Sequence, residues 1–149
     1  MSKTQRRKSQ RANNAHKTVM TERTLVLDAG ALIDVDRNPR GEAMQSCQLA
    51  HREGRRPILP SVVLGQVWRD HRRQHSLTRL QEVCEILPFT EDTARKAGVL
   101  LGESGTSDVV DAAVVVAAME HNATVLTSDP GDLRKIAEAV GFRIKLAVL

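Results

Sequence analysis

Residues 107–132 read SDVVDAAVVVAAMEHNATVLTSDPGD, and the fold of the chain turns on where this stretch is placed. It contains the longest apolar run of the sequence, residues 109–119, in which ten of eleven side chains are apolar and Asp111 is the exception. A helix that is apolar on every side is buried. Asp111 must then leave bulk water, and an ionised carboxylate so placed is costly unless it meets a cation or several donors. A strand-like run, residues 123–127, follows and leads into a second acid, Asp129; a third, Asp132, comes one turn later. Acids delivered to one end of a buried helix–strand unit predict a site whose other walls come from the rest of the chain.

Upstream, residues 24–28 (TLVLD) form a short apolar run ending in an acid, as a buried parallel strand does. Residues 29–35 predict a short helix, broken by RNPRG at 37–41. Residues 42–53 predict another, with Ala43, Cys47, Leu49 and Ala50 inward and Gly54 as its stop. Residues 57–60 (PILP) read as a second strand, and Ser61 is the expected cap of a helix whose period Val62, Val63, Val67 and Asp70 set. Residues 77–84 predict a helix and 85–89 a third strand. Thr90 caps a helix that carries Glu91 and Asp92 in its first turn and ends near residues 102–105. Ser107 is expected to cap the buried helix, with Asp108 as an acid of its first turn. After the fourth strand at 123–127, residues 132–140 predict a helix stopped by Gly141, for which Asp132 also reads as a cap. Residues 142–146 are the fifth strand.

Strands alternating with helices predict a three-layer, doubly wound α/β domain with a five-stranded parallel sheet covered on both faces. Sites in such folds form outside the carboxyl ends of the strands. Asp28 ends the first strand and Asp129 lies just past the fourth. If these strands are neighbours their acids converge, and Asp111 reaches them from the helix that leads into the fourth.

The 149 residues suit one domain, taken as residues 25–149 behind a basic tail, 1–24, that lacks any helical or strand period and is expected to be disordered. The tail holds seven Lys and Arg against Glu22, a charge of +6, so the remaining 125 residues carry −2 of the net +4. A basic arm binds nucleic acid without sequence preference. It also serves as a solubilising tail, or precedes a true start at Met20; an organellar presequence is a further option, although no amphipathic apolar face supports it. No apolar run approaches the ~20 residues of a membrane span, so no membrane partner is expected. Cys47 and Cys84 are far apart and form no Cys-x-x-Cys, which suits reduced thiols and a cytoplasmic setting. Two Phe, one Trp and no Tyr are too few for a sheet that stacks bases. Action on nucleic acid should therefore go through phosphates and a metal.

Several carboxylates in one pocket stay ionised together only around a hard divalent cation, and all-oxygen ligation points to Mg²⁺ or Mn²⁺. Such an ion activates water and neutralises charge on a phosphodiester under attack. No Ser–His–Asp or Cys–His arrangement competes, and there is no Gly-x-Gly-x-x-Gly or Walker loop. His71 and His75 are spaced for one helical face within HRRQH, but zinc needs further ligands that are not evident. A phospho-acceptor domain would want paired acids after the first strand and an acceptor Asp after the third; Ala29 and Pro88 do not fit.

Three segments, LVLDAGALI, ILPSVVLGQVWRD and SDVVDAAVVVAAMEHNATVLTSDPGDLRKIA, resemble the signature regions of PIN-domain proteins, most closely the VapC-like toxin ribonucleases of type II toxin–antitoxin pairs. The resemblance covers residues 25–146. It implies strand order 3-2-1-4-5, Mg²⁺- or Mn²⁺-dependent cleavage of RNA, a homodimer and an inhibiting antitoxin. By position Asp28, Asp111 and Asp129 match the family's metal-binding catalytic aspartates, and Asp132 an accessory metal acid. Asp108, Arg69, Thr127 and Ser128 are taken as accessory residues. One position departs: the family's second acid, a Glu on the helix after the second strand, is replaced by Gln66, whose spacing from Val62 and Val63 is read as turning it inward. Gln offers a neutral oxygen and removes one negative charge, so weaker metal binding follows. The alternative is a catalytically weak or silent PIN domain that binds RNA or a protein partner.

Overall fold

The structure, a computed structural model, describes residues 23–149, besides Lys3 alone; the expectations for the basic tail fall on residues 1–22, outside the described residues. The described elements, in order, are β1 (Leu25–Leu27), α1 (Ala29–Arg37), α2 (Glu42–Arg52), β2 (Ile58–Pro60), α3 (Ser61–Val67), α4 (His75–Val83), β3 (Glu85–Leu87), α5 (Glu91–Ser104), α6 (Val109–His121), β4 (Thr124–Thr127), α7 (Gly131–Ala139) and β5 (Lys145–Val148). The sheet order is β3-β2-β1-β4-β5, and every pair is parallel. Val26 lies opposite both Ile58 of β2 and Val125 of β4, so β1 is the central strand. Helices α1, α2 and α4 pack together on one layer, and α5, α6 and α7 on the other. Helix α3 contacts both α1 and α6, and so bridges the two layers.

Helix α6 is buried continuously from Ala112 to Ala118. Its valines are poorer helix formers than alanine by roughly 0.5 kcal/mol each. Full burial of a Val side chain is worth about 1.5–3 kcal/mol, so tertiary packing decides in favour of the helix. The helix ends at Asn122, the one described non-glycine residue in the left-handed region (φ 45°), a conformation that Asn tolerates.

Local boundaries depart from expectation in four places. The cap of α6 is Asp108, whose carboxylate accepts the amides of Val110 (2.9 Å) and Asp111 (3.1 Å); Ser107 lies one residue too early. Asp108 is thus the cap itself and not a first-turn acid. Ser61 is already inside α3, behind Pro60, and its hydroxyl instead accepts the Phe89 amide at 3.1 Å. Helix α3 stops at Val67, short of Asp70, because Trp68 is extended. Phe142 and Ile144 are half-buried and Arg143 is exposed, but none is yet paired: β4 begins only at Thr124, whose partner is Lys145, so β5 starts there.

Candidate metal centre

Asp28 sits at the carboxyl end of β1, and its amide extends the ladder by donating to the Leu126 carbonyl (3.1 Å). It occupies the cap position of α1, yet its carboxylate makes no cap hydrogen bond. Its Oδ2 accepts the Thr127 hydroxyl at 2.8 Å, and the same hydroxyl oxygen accepts the Asp129 amide at 3.1 Å. Thr127 is fully buried, so one hydroxyl at the end of β4 positions two of the acids. Asp28 is only 7% exposed, and burial first of all pushes its pKa up, with Asp129 and Asp108 adding to the effect; the Thr127 hydroxyl and the Ala29 amide oppose it.

Asp111 lies in the first turn of α6 and is half-buried. Its pKa is pushed up to about 7, by burial first and then by the charges of Asp108, Asp28, Asp132 and Asp129. The charges of Asp108 and Asp129 therefore reach both Asp28 and Asp111, and that of Asp132 reaches Asp111. Asp129 and Asp132 are exposed. Asp132 lies in the first turn of α7 behind Pro130 and does not cap that helix. Among the described residues, none of the five acids forms an ion pair with Lys, Arg or His.

Ser128 follows Thr127 and lies against Gly30 at the start of α1. A Cβ at Gly30 would fall 2.0 Å from the Ser128 Oγ and 2.8 Å from the Ser128 backbone nitrogen. Gly30 is what lets the ends of β1 and β4 close on one another, a role the sequence reading overlooked. The only sequence signal for it is the small pair Ala29-Gly30 directly after Asp28.

Gln66 lies within α3 and is exposed, not turned inward as its spacing from Val62 and Val63 suggested. Arg69 lies past the end of α3, where its guanidinium donates to the carbonyls of Gly65 (3.3 Å) and Trp68 (2.6 Å). His71 and His75 do not share a helix face: His71 is in a turn and His75 opens α4.

The donor set suits a hard divalent cation: oxygen ligands, negative charge, and no cationic side chain offsetting it among the described residues. The placement is more open. Among the described residues no three His, Cys, Asp or Glu side chains are grouped so that they could hold a metal ion. The two facts are compatible, since charges act over a screening length of about 8 Å whereas ligation needs contacts of about 2.0–2.6 Å. Uncompensated carboxylates repel, and closing on an ion requires their side chains to turn toward one another.

An all-parallel 3-2-1-4-5 sheet with acids at the carboxyl ends of β1 and β4 defines a doubly wound α/β domain with its candidate site outside the strand ends. The PIN domain model matches residues 25–139, and the chain belongs to the PIN domain family. PIN domains are generally nucleases that depend on a divalent metal. No curated protein matches the chain in sequence. Among solved structures it is similar to a chain of VapBC2 from Rickettsia felis bound to a promoter DNA fragment, with 16% identity, 85% of this chain and 98% of that chain covered, and a TM-score of 0.65. It is also similar to FitAcB from Neisseria gonorrhoeae (15% identity, 83% and 96% covered, TM-score 0.55) and to PAE2754 from Pyrobaculum aerophilum (15%, 82% and 90%, 0.51). At these identities the likeness is one of fold. Among the described residues no helix is long and apolar enough to cross a membrane.

Proposed function

We propose that this chain is a Mg²⁺- or Mn²⁺-dependent endoribonuclease that acts in the cytoplasm as the toxin of a toxin–antitoxin pair. One observation carries the reading: burial and the charges of Asp108, Asp129 and Asp132 raise the proton affinity of Asp28, Asp111 or both, and none of the five acids has a cationic partner among the described residues. Burying such a set is unfavourable unless a cation completes it. The VapC-like signature segments and the likeness to a chain from a VapBC2 assembly on DNA support a small antitoxin as partner. A homodimer accompanies this reading.

In this proposal Asp28, Asp111 and Asp129 hold the metal, with Asp132 on the rim. A bound divalent ion supplies a water of lowered pKa and charge neutralisation at the phosphodiester. Thr127 orients Asp28 and fixes the backbone of Asp129. Asp108 ties the first turn of α6 and so sets the height of Asp111, while Ser128 packs the β4 loop on Gly30. Gln66 and Arg69 stand at the edge contributed by α3. Asp111, with its pKa near neutrality, is the acid most able to take up a proton when the pocket holds no cation.

The test is cleavage of RNA with Mg²⁺ or Mn²⁺ by the wild type, Asp28→Asn and Asp129→Asn. Cleavage by the wild type and its loss in both variants is the expected result, and equal activity in all three excludes the proposal. A second reading, a silent PIN domain that binds RNA or protein, is favoured by the neutral Gln66 and by the open placement of the acids. Gln66→Glu separates the two: cleavage created in that variant and absent from the wild type selects the silent reading.

A further inference from the structure

The chain between α3 and α4 continues past Arg69, at the edge of the proposed site, as DHRRQ, and Arg79 follows on α4; Arg72, Arg73 and Arg79 have no assigned part in the acidic site. Residues 69–79 contain four arginines and one acid, Asp70, a net +3 within a domain whose remaining residues are negative overall. Arg69, Arg72, Arg73 and Arg79 are all exposed, and among the described residues none of them forms an ion pair. Arg72 and Arg73 make no side-chain hydrogen bond there either. Unpaired guanidiniums in such density repel one another and favour an anionic partner.

The turn is rigid by construction. Gln74 is 8% exposed, and its Oε1 accepts the amides of Arg69 (2.7 Å) and Asp70 (3.1 Å). Its amide nitrogen donates to the Val67 carbonyl at 2.9 Å and to Asp36 of α1 at 3.4 Å. The Asp70 carboxylate accepts the Arg72 amide at 2.9 Å, and the Asp70 carbonyl accepts those of Arg73 and Gln74. The arginines are therefore presented on a fixed frame docked against the last turn of α1. Helix α1 starts beside Asp28, and α3 starts at the carboxyl end of β2, on the same edge of the sheet. Both helices run away from that edge, and at about 1.5 Å per residue they separate the turn from it by roughly 10–14 Å.

We infer that this arginine turn is a phosphate-docking patch that holds the backbone of a single-stranded RNA on the flank of the domain, at the far ends of the helices that start at the edge carrying the acids. It rests on the proposed nuclease reading, and it answers a problem that reading raises. Five carboxylates repel a polyanion, so a strand reaches them only if cations nearby offset the field. Free guanidiniums on a preorganised turn meet that need without stacking aromatics, of which the chain has few.

The test is fluorescence anisotropy of the full chain with a labelled oligouridylate in EDTA, so that cleavage plays no part, over a range of salt concentrations. Each phosphate contact contributes about 0.7 to the slope of log K against log salt for a single strand. Arg72→Ala/Arg73→Ala is expected to lower the slope by about 1.4 and to weaken binding roughly 25-fold at 0.1 M salt, with an unchanged melting temperature. Arg95→Ala, which removes the partner of Glu91 on α5, is expected to leave binding as it was. An unchanged slope in the double variant overturns the inference and assigns RNA to the basic tail or another face. If poly-glutamate binds as tightly as RNA, charge for charge, and the double variant weakens both alike, the patch belongs to an acidic protein partner and the inference fails. Patch-dependent binding by a chain that cuts no RNA upholds this inference while the nuclease reading fails.

Discussion

Asp111→Asn separates the needs of the pocket from those of the fold. Burial and four neighbouring acids lift the Asp111 pKa from the ordinary 3.8 to about 7. Because the folded-state value lies above the unfolded one, the folded protein binds more protons between these values. Its stability from this group is complete below pH 3.8 and is lost as pH rises through about 7. Taken at face value the difference amounts to about 4 kcal/mol, and because the side chain is only half-buried, solvent screening reduces this to about 2 kcal/mol. Asn is neutral at every pH and escapes this penalty. Urea unfolding in EDTA should therefore find Asp111→Asn more stable than the wild type by about 2 kcal/mol at pH 8, and by less at pH 5. The same change should abolish metal binding. A variant no more stable than the wild type at pH 8, or one whose advantage persists undiminished at pH 5, would refute the assignment of Asp111 to a crowded, uncompensated acid pocket.

Other substitutions follow from the same geometry. Thr127→Val keeps the shape of the β4 end but removes the donor to Asp28 and the acceptor of the Asp129 amide; urea unfolding should show a loss of about 1–3 kcal/mol, and the Asp28 pKa should rise further in a carboxyl NMR titration. Gln66→Glu adds a carboxylate on α3 and should tighten Mn²⁺ binding measured by calorimetry; unaltered affinity would place position 66 outside the metal's reach. Gly30→Ala drives a Cβ into Ser128 and should cost about 1–3 kcal/mol with a lower melting temperature, whereas Gly65→Ala, with open space around it, should not.

The strand and helix alternation, the burial of residues 112–118 and the placement of Asp28 and Asp129 at strand ends were legible because each is written as a local pattern of apolar residues. The resemblance to PIN domains supplied the strand order, which periodicity alone leaves open. What escaped is mostly a matter of which polar group reaches which amide. Ser107 and Asp108 are both good caps, and only the geometry of the loop selects Asp108. Ser61 reads as the cap of its helix, but it lies inside the helix and its hydroxyl accepts the amide of Phe89, twenty-eight residues away. The period from Val62 to Asp70 suggested a longer helix, yet the extended Trp68 ends it and the buried Gln74 gathers the following amides. Gly30 and Thr127 owe their importance to contacts across about a hundred residues, which no window of sequence displays.

Titrating Mn²⁺ into the full chain by calorimetry, with RNA absent, confronts the shared-cation pocket most directly. One saturable binding event in the wild type, lost in Asp28→Asn, Asp111→Asn and Asp129→Asn alike, is the predicted outcome. No saturable binding by the wild type, or binding that survives in all three variants, would contradict it.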